Sequence, residues 1–206
     1  QHYAFVVNAF VSLLKRADMT RYELFLRETR TYEIIEDVKN FRSEIGVLFL
    51  NGYNRDVLTK MFDDNRLTYT SLFKARPHIF VSKSNPLAKH EVVSLEDLED
   101  FPYLSYDQGI HNSFYYSEEI LSQIPHKKSI VVSDRATLFN LLIGLDGYTI
   151  ATGILNSNLN GDNIVSIPLD IDDEIDIVYL KHEKATLSKM GEKFLDNLVK
   201  EVTFDN

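Results

Sequence analysis

The chain has 206 residues, of which 44% are hydrophobic and 26% charged, with a formal net charge of −9 and no cysteine; this composition is typical of a globular protein with one large domain or two small lobes. The lack of cysteine excludes disulfides, thiolate metal ligands and cysteine nucleophiles, and the acidic balance disfavours binding to nucleic acid phosphates. No apolar run approaches the ~18 residues of a membrane span, so we expect no membrane contact and a cytoplasmic location, although a mature secreted domain would have the same composition.

The first part of the chain alternates between helix and strand patterns. Apolar residues at helical spacing over 5–14 predict an amphipathic helix. Alternating residues over 22–27 predict a strand, and a second helical stripe follows over 34–41. The unbroken apolar run over 45–50 is typical of a parallel strand covered on both faces. A helix over 57–62 and an alternating strand over 67–73 come next.

The second part continues this alternation. From Pro77 to Asp107 the sequence predicts a strand, an Asn-Pro turn, a short capped helix at Ser94 and another strand. Ser133 and Asp134 are candidate caps of an apolar helix that should be deeply buried, in the core or in an interface. The other predicted elements are a helix over 115–121, strands over 129–132, 148–151, 164–167 and 175–180, and an amphipathic helix over 187–202. The fold class is therefore α/β, with right-handed crossover units.

Motifs with a strong catalytic or binding mechanism are absent. The sequence has no G-x-S-x-G elbow, Walker A loop, G-x-G-x-x-G or H-E-x-x-H, and its six histidines form no i, i+4 pair. We therefore expect no enzymatic activity, no cofactor and no metal site. The neighbouring carboxylates Glu118 and Glu119 should point apart and lie on the solvated surface. The aromatic run 114–116 fits core packing, which we favour, or stacking on a ligand.

Three segments resemble the effector-binding domain of LysR-type transcriptional regulators. The first runs from Phe80 to Leu104 and contains N-P-L-A and S-L-E-D-L-x-x-x-P. The second runs from Val131 to Ile150 and has the family's order of strand, apolar helix, glycine turn and strand. The third is the final amphipathic helix. Each motif alone is loose, but their order and spacing are specific, and with the preceding elements they span nearly the whole chain.

The resemblance implies two Rossmann-like lobes similar to those of type 2 periplasmic binding proteins. Lobe one would comprise residues 1–79 plus 175–206, and lobe two residues 80–174. The chain would cross near 79–82 and near 175–179, and two crossings make a hinge. The family's N-terminal winged helix-turn-helix and linker helix do not occur in this sequence, and the first strand of lobe one is expected before Gln1. DNA binding would belong to the winged helix-turn-helix.

The resemblance also implies a homodimer or tetramer that forms through this domain. In the family, the first helix of one lobe faces a lobe-two helix of the partner. The apolar stripe over 5–14 fits such a seam, and core packing explains the same stripe.

A small-molecule effector would lie in the cleft between the lobes, where helix N-termini and loops after strands favour small polar or anionic ligands. Ser133 is the strongest candidate contact, because it follows a strand and precedes an apolar helix; its hydroxyl would either cap that helix or meet the ligand. Gln1 and His2 are either ligand contacts or a frayed terminus, and Tyr106 could line the core. Carried over by position, the ligand-binding residues are Gln1, His2, Leu50, Asn51, Tyr106, Asp107, Gln108, Ser133, Thr152 and Gly153.

The leading interpretation is an effector-sensing domain that controls DNA binding and transcription without catalysis. An extracellular solute-binding protein of a transporter is the alternative with the same fold, and a signal peptide upstream would distinguish it. A small α/β enzyme such as a transferase would need a nucleophile or cofactor loop that we do not find. The polar candidate residues do not identify the effector.

Overall fold

The computed structural model describes residues 1–16, 20–155 and 161–203. The α-helices of this part of the chain are α1 (Ala4–Arg16), α2 (Thr31–Lys39), α3 (Arg55–Asp64), α4 (Arg135–Gly144) and α5 (Lys189–Thr203). The strands are β1 (Gly46–Leu50), β2 (Leu67–Ala75), β3 (His78–Ser82), β4 (Tyr103–Tyr106), β5 (Ser129–Val132), β6 (Tyr148–Ala151), β7 (Ile164–Pro168) and β8 (Ile175–His182). Short 3₁₀ helices cover Pro86–Lys89, Glu96–Leu98 and Phe114–Tyr116.

The smaller of two sheets has the strand order β1-β8-β2. All five residues of β1 are buried, because its alternate side chains enter two helical layers: Leu48 packs in a cluster with α2 and α3, and Phe49 in a cluster with α1. The predicted coverage of both faces of β1 is confirmed. The expected parallel pairing is wrong, since β8 runs antiparallel to both neighbours, with Leu48 opposite Val178. We call this sheet with α1, α2, α3 and α5 lobe one.

The larger sheet has the order β5-β4-β6-β3-β7 and forms lobe two together with α4. β4 pairs parallel with β5 and β6, with Leu104 opposite Ile130, whereas β3 pairs antiparallel with β6 and β7. α4 packs on this sheet through Leu138 and Leu142, both fully buried. The carboxyl ends of β4 and β5 consequently lie at the same edge of the sheet as the start of α4, and this edge faces lobe one.

The chain passes between the sheets twice, at residues 76–77 and 169–174. The main-chain N–H of Leu169 donates to the carbonyl of Pro77 over 3.0 Å, so the two passages run side by side. β3 lies within lobe two and β8 within lobe one. The first passage therefore precedes the predicted crossing at 79–82 by a few residues.

One apolar cluster joins the two lobes. Phe49 and Ile177 of lobe one belong to the same buried cluster as Ile79 and Ile150 of lobe two. Two further clusters lie within single lobes, one around Phe62 and α3, the other around Leu142 and α4. The lobes therefore share a continuous core beside their connections.

The strand predicted over 22–27 does not form. These residues pair with no strand, and Phe25 is 81% exposed. Alternating side chains give a stable strand only where a neighbour supplies main-chain partners. In the described part of the chain β1 pairs only with β8, and a groove of about 330 Å³ separates β1 from the 23–27 segment.

Two further expectations about helices need correction. The helix predicted over 115–121 is only the 3₁₀ turn Phe114–Tyr116, followed by bends in which Leu121 has a φ of +60°. The helix α4 is not fully buried in the core of this chain, because Ile143 and Leu145 at its end are 44% and 48% exposed; its burial in an interface stays a prediction. Its apolar residues occur on all sides, but only one side has a sheet to pack against.

Candidate functional site

A cavity of about 50 Å³ lies between the lobes. Lobe one contributes His2 and Phe49 to its lining, and lobe two contributes Phe80, Phe139 and Thr149. Measured in the same way, one water molecule needs roughly 10–15 Å³, so this space holds a few waters at most. The lobes are therefore closed over a small, mostly apolar cleft.

Glu118 connects the two lobes at this cavity. Its carboxylate accepts a hydrogen bond from the main-chain N–H of His2 at 2.8 Å and lies 2.9 Å from His2 Nδ1. It also accepts from Gln108 Nε2 over 3.2 Å, while Gln108 Oε1 accepts from the N–H of Thr31 at 3.1 Å. The His2 ring stacks on Tyr106 with centroids 4.2 Å apart. Hydrogen-bond donors of lobe one thus find their acceptors in lobe two.

Two ion pairs also cross the cleft. Arg30 Nη2 lies 2.6 Å from Asp107 Oδ2, and Arg135 Nε lies 3.1 Å from Glu28 Oε1. A hydrogen bond from the Gly109 N–H, and then the guanidinium of Arg30, lower the pKa of Asp107. Arg135 is the first residue of α4 and lines the cavity. It is therefore the cationic side chain placed where a ligand would enter.

Aromatic side chains connect the lobes farther out. Tyr53 of lobe one stacks on Tyr115 with centroids 4.8 Å apart, and Tyr32 stacks on His111 at 3.5 Å. No residue of the aromatic run 114–116 is buried, and Phe114 is 52% exposed. The prediction that this run belongs to the core is therefore wrong for Phe114 and Tyr115, whereas the half-buried Tyr116 packs against the lobe-one cluster around Phe62.

Glu118 and Glu119 are 8% and 3% exposed, so the prediction of a solvated surface is wrong. Neighbouring side chains point apart on a helix or strand, but here the chain bends and both carboxyl groups point inward. Glu119 Oε1 accepts a hydrogen bond from the N–H of Tyr106 at 3.0 Å, whereas its Oε2 is buried without a hydrogen-bond partner. Burial, and then the charge of Glu118, raise the pKa of Glu119 well above its usual value.

Three of the ten predicted ligand-binding residues line the cavity: His2, Tyr106 and Thr152. Four others are held by hydrogen bonds within the protein: Gln1, Asn51, Asp107 and Gln108. Gln1 and His2 are therefore well anchored and not frayed. The structure brings five of these seven to the boundary between the lobes. Gln1 bonds to Thr31 and Val47 within lobe one, and Asn51 bonds to Asp173 near the second passage.

The remaining three predicted residues lie outside the lining. Leu50 is fully buried in lobe one, and Gly153 has a φ of +84° and packs against His78. Ser133 is exposed. The residue that caps α4 is Asp134, whose side chain accepts a hydrogen bond from the N–H of Thr137 at 2.8 Å.

Most of the lining residues were not predicted from the sequence, among them Glu118, Glu119, Arg135 and Phe139. Arg135 and Phe139 are one helical turn apart at the start of α4. The capping residue Asp134 marks this helix start in the sequence, and it could therefore have indicated both residues. The irregular chain over 117–121 has no periodicity that could have indicated the two glutamates.

Across the ranges that the structure describes, no group of three or more His, Asp or Glu side chains is arranged to hold a metal ion. No helix in these ranges is long and apolar enough to cross a membrane.

The two-lobed α/β fold with a cleft at its centre is that of a periplasmic-binding-protein-like ligand-binding domain. The sequence matches the LysR substrate binding domain family over residues 14–203. Because this match covers most of the chain, the protein belongs to that family. A comparison with curated protein sequences found no match.

Solved structures have the same fold. The effector binding domain of QuiR in complex with shikimate is 17% identical, with a TM-score of 0.60 over 95% of this chain and 88% of that one. The BenM effector binding domain with its effector benzoate is also 17% identical, with a TM-score of 0.62 over 98% and 87%. The oxidized form of OxyR from Corynebacterium glutamicum is 12% identical, with a TM-score of 0.64 over 97% of this chain and 60% of that one.

Proposed function

We propose that this chain is the effector-sensing domain of a transcriptional regulator and that its effector occupies the cavity between the lobes. The observation that supports this is that polar contacts between the lobes meet at one cavity, which Glu118 and Arg135 line, while the Arg30–Asp107 pair joins the lobes outside its lining. Whatever enters the cavity must rearrange contacts between the lobes. The proposal includes the predicted division into lobe one, residues 1–79 plus 175–206, and lobe two, residues 80–174, with the first boundary moved to the passage at 76–77 because β3 lies in the larger sheet.

Ligand entry requires separation of the lobes. The cavity of about 50 Å³ is much smaller than the roughly 300–1,000 Å³ of ordinary small-molecule sites. An effector would shift the balance between open and closed forms by its difference in affinity for the two. The passages at 76–77 and 169–174 are the places where the chain would bend.

The lining favours a small ligand with an apolar body and one polar or anionic group. Phe80 and Phe139 would contact the apolar part, and Arg135 the anionic group. Arg135 already pairs with Glu28 of lobe one. An anionic ligand at Arg135 would therefore compete with Glu28. The ion pair between the lobes would be lost, and an ion pair between Arg135 and the ligand would replace it.

The proposed partners follow from family membership. In this proposal DNA is bound by a separate winged helix-turn-helix segment of the protein, because the sensing domain has a net charge of −9 that repels phosphates. The protein acts in the cytoplasm as a homodimer or tetramer and catalyses no reaction. The stripe of α1 packs in part on α5, with Phe10 and Phe194 ring centroids 6.3 Å apart, and its half-buried residues are the proposed seam.

A thermal-shift experiment tests the proposal. Benzoate, shikimate, amino acids and sugars are added separately to the protein and to Arg135→Ala, with exposed Arg21→Ala as the matched control. A compound present at about 100 times its Kd stabilises the folded state by roughly 2.7 kcal/mol. We expect at least one anionic compound to raise the Tm of the wild type and of the control, but not of Arg135→Ala. An equal shift of Arg135→Ala with that anionic compound, or no shift with any anionic compound, would contradict the proposal.

A further inference from the structure

A second pocket, of about 420 Å³, lies in lobe two beside the cleft, and Tyr106 and Glu119 line both spaces. Tyr103 and Ser105 of β4 line it from the sheet, and the irregular segment 107–126 covers it with side chains such as Asn112 and Ser117. No lysine or arginine is among the lining residues. The pocket is thus larger than the cavity between the lobes and is polar without being basic.

Three lining residues each bury a polar atom that has no hydrogen-bond partner: Tyr103 Oη, Glu119 Oε2 and His126 Nε2. Tyr103 and Glu119 are each 3% exposed. The rings of Tyr103 and His126 stack with centroids 3.8 Å apart, so these two residues form one wall of the pocket. Native proteins leave few buried polar atoms unpaired, and each such atom calls for an explanation.

These three groups favour their neutral forms. Burial raises the pKa of Tyr103 and of Glu119 and lowers the pKa of His126. A phenol and a protonated carboxyl can each donate and accept a hydrogen bond. His126 Nδ1 lies 3.1 Å from Tyr148 Oη; where that hydroxyl donates to Nδ1, the Nε2–H is left as a donor. The carboxylate of Asp107 at the rim disfavours an anion.

We propose that this pocket binds a small neutral molecule rich in hydroxyl groups, such as a monosaccharide or polyol, through Tyr103, Glu119 and His126. A hydroxyl group both donates and accepts, and so satisfies groups of either kind. Tyr106 and Phe114 add aromatic surface for the C–H faces of such a ligand. This ligand would be additional to the effector in the cleft.

Isothermal titration of the complete chain with glucose, myo-inositol and sorbitol tests the proposal, with benzoate and putrescine as charged comparisons. At least one neutral compound should bind, and Tyr103→Phe should weaken binding about tenfold or more, because the donor and acceptor at Oη are lost. Tyr22→Phe, at a position 56% exposed, is the matched control and should bind as the wild type does. His126→Phe preserves the ring stacking and provides a second variant, should Tyr103→Phe fail to fold.

Tyr103 and His126 do not line the cleft, so their substitution leaves the response to a cleft effector unchanged and separates the two sites. The proposal is overturned if no neutral hydroxylated compound binds, in which case ordered water alone satisfies the three atoms. It is also overturned if only charged compounds bind, or if both variants bind the neutral compound as tightly as the wild type.

Discussion

Glu119 is a buried carboxyl group beside a second carboxyl group and the hydroxyl-bearing rings of Tyr103 and Tyr106. Because the pKa of Glu119 is raised in the folded state, that state holds the proton more tightly than the unfolded chain. The resulting contribution to stability is complete below the unfolded pKa near 4.5 and is lost as pH rises through the folded pKa. Wild type should therefore lose stability with rising pH in this window, at roughly 1 kcal/mol per pH unit.

Glu119→Gln removes the titrating group and should flatten this loss. Urea unfolding of both proteins between about pH 4.5 and 8 measures the difference in free energy. Glu96→Gln, at an exposed position of lobe two, is the control and should follow the wild type. Parallel pH profiles of wild type and Glu119→Gln would show that Glu119 stays ionised in the folded protein.

Asp134 and Ser133 form a matched pair for helix capping. Asp134 accepts from both the N–H and the hydroxyl of Thr137, at 2.8 and 2.7 Å, while Ser133 is exposed and makes no contact of this kind. Asp134→Ala should lower the Tm by about 2–4 °C through loss of the cap. Ser133→Ala should leave the Tm unchanged, and a decrease as large as that of Asp134→Ala would contradict the assignment.

The sequence limits what can be predicted at single positions. Ser133 and Asp134 are both good capping residues, so the sequence alone does not show which of them caps α4. The structure identifies Asp134, because the helix begins at Arg135. The assignment of ligand contact to Ser133 stays a prediction, which its alanine variant tests in the thermal-shift panel: full retention of the response would reject it.

Among the secondary-structure elements, α2 and β1 pack so closely that Gly46 has no room for a side chain. A Cβ at this position would lie 2.6 Å from Ile34 Cγ2 and 3.0 Å from Val38 Cγ2. Gly46→Ala should destabilise the protein by about 1–3 kcal/mol through overpacking. Gly144→Ala is the control at the end of α4, where a Cβ meets nothing within 4 Å. It should be neutral or stabilising, and equal losses in both variants would argue against close packing at Gly46.

Helices and strands whose side chains follow a regular periodicity were predicted well. Segments whose structure depends on contacts with other parts of the chain were not. The helical stripes of α1, α3 and α5 and the apolar runs of β1 and β8 follow from side-chain periodicity alone. The 22–27 segment has the alternation of a strand, but strand formation needs a pairing partner that periodicity does not report. The 114–121 segment has aromatic and apolar residues at helical spacing, yet bends that bury Glu118 and Glu119 replace the helix.

For the whole molecule, the resemblance predicted two lobes and a cleft, but not how the cleft is closed. Its closure depends on pairs from distant parts of the sequence, such as His2 with Glu118, which no local pattern connects. Both side chains are nearly fully buried, whereas the Arg30–Asp107 pair is more than a third exposed and contributes little. Glu118 should therefore matter more for closure than Asp107.

Glu118→Ala leaves the N–H of His2 and the amide of Gln108 without their acceptor and should shift the lobes toward an open arrangement. Because the chain has no cysteine, cysteines introduced at exposed Lys60 in lobe one and Ile143 in lobe two can carry spin labels without interference. Distance distributions should be longer and broader in Glu118→Ala than in wild type, and unchanged in Glu96→Ala. Identical distributions in all three proteins would contradict a closing role for Glu118.

The apolar cluster that contains Phe49, Ile177, Ile79 and Ile150 makes the two lobes one cooperative unit. Lobes with separate cores would melt in two steps, whereas a shared core couples their melting. Calorimetry should show a single transition whose calorimetric and van't Hoff enthalpies agree, and Ile177→Val should shift that transition without splitting it. A ligand bound anywhere on the folded molecule would then protect both lobes, so protease resistance of the whole chain becomes a readout of effector binding.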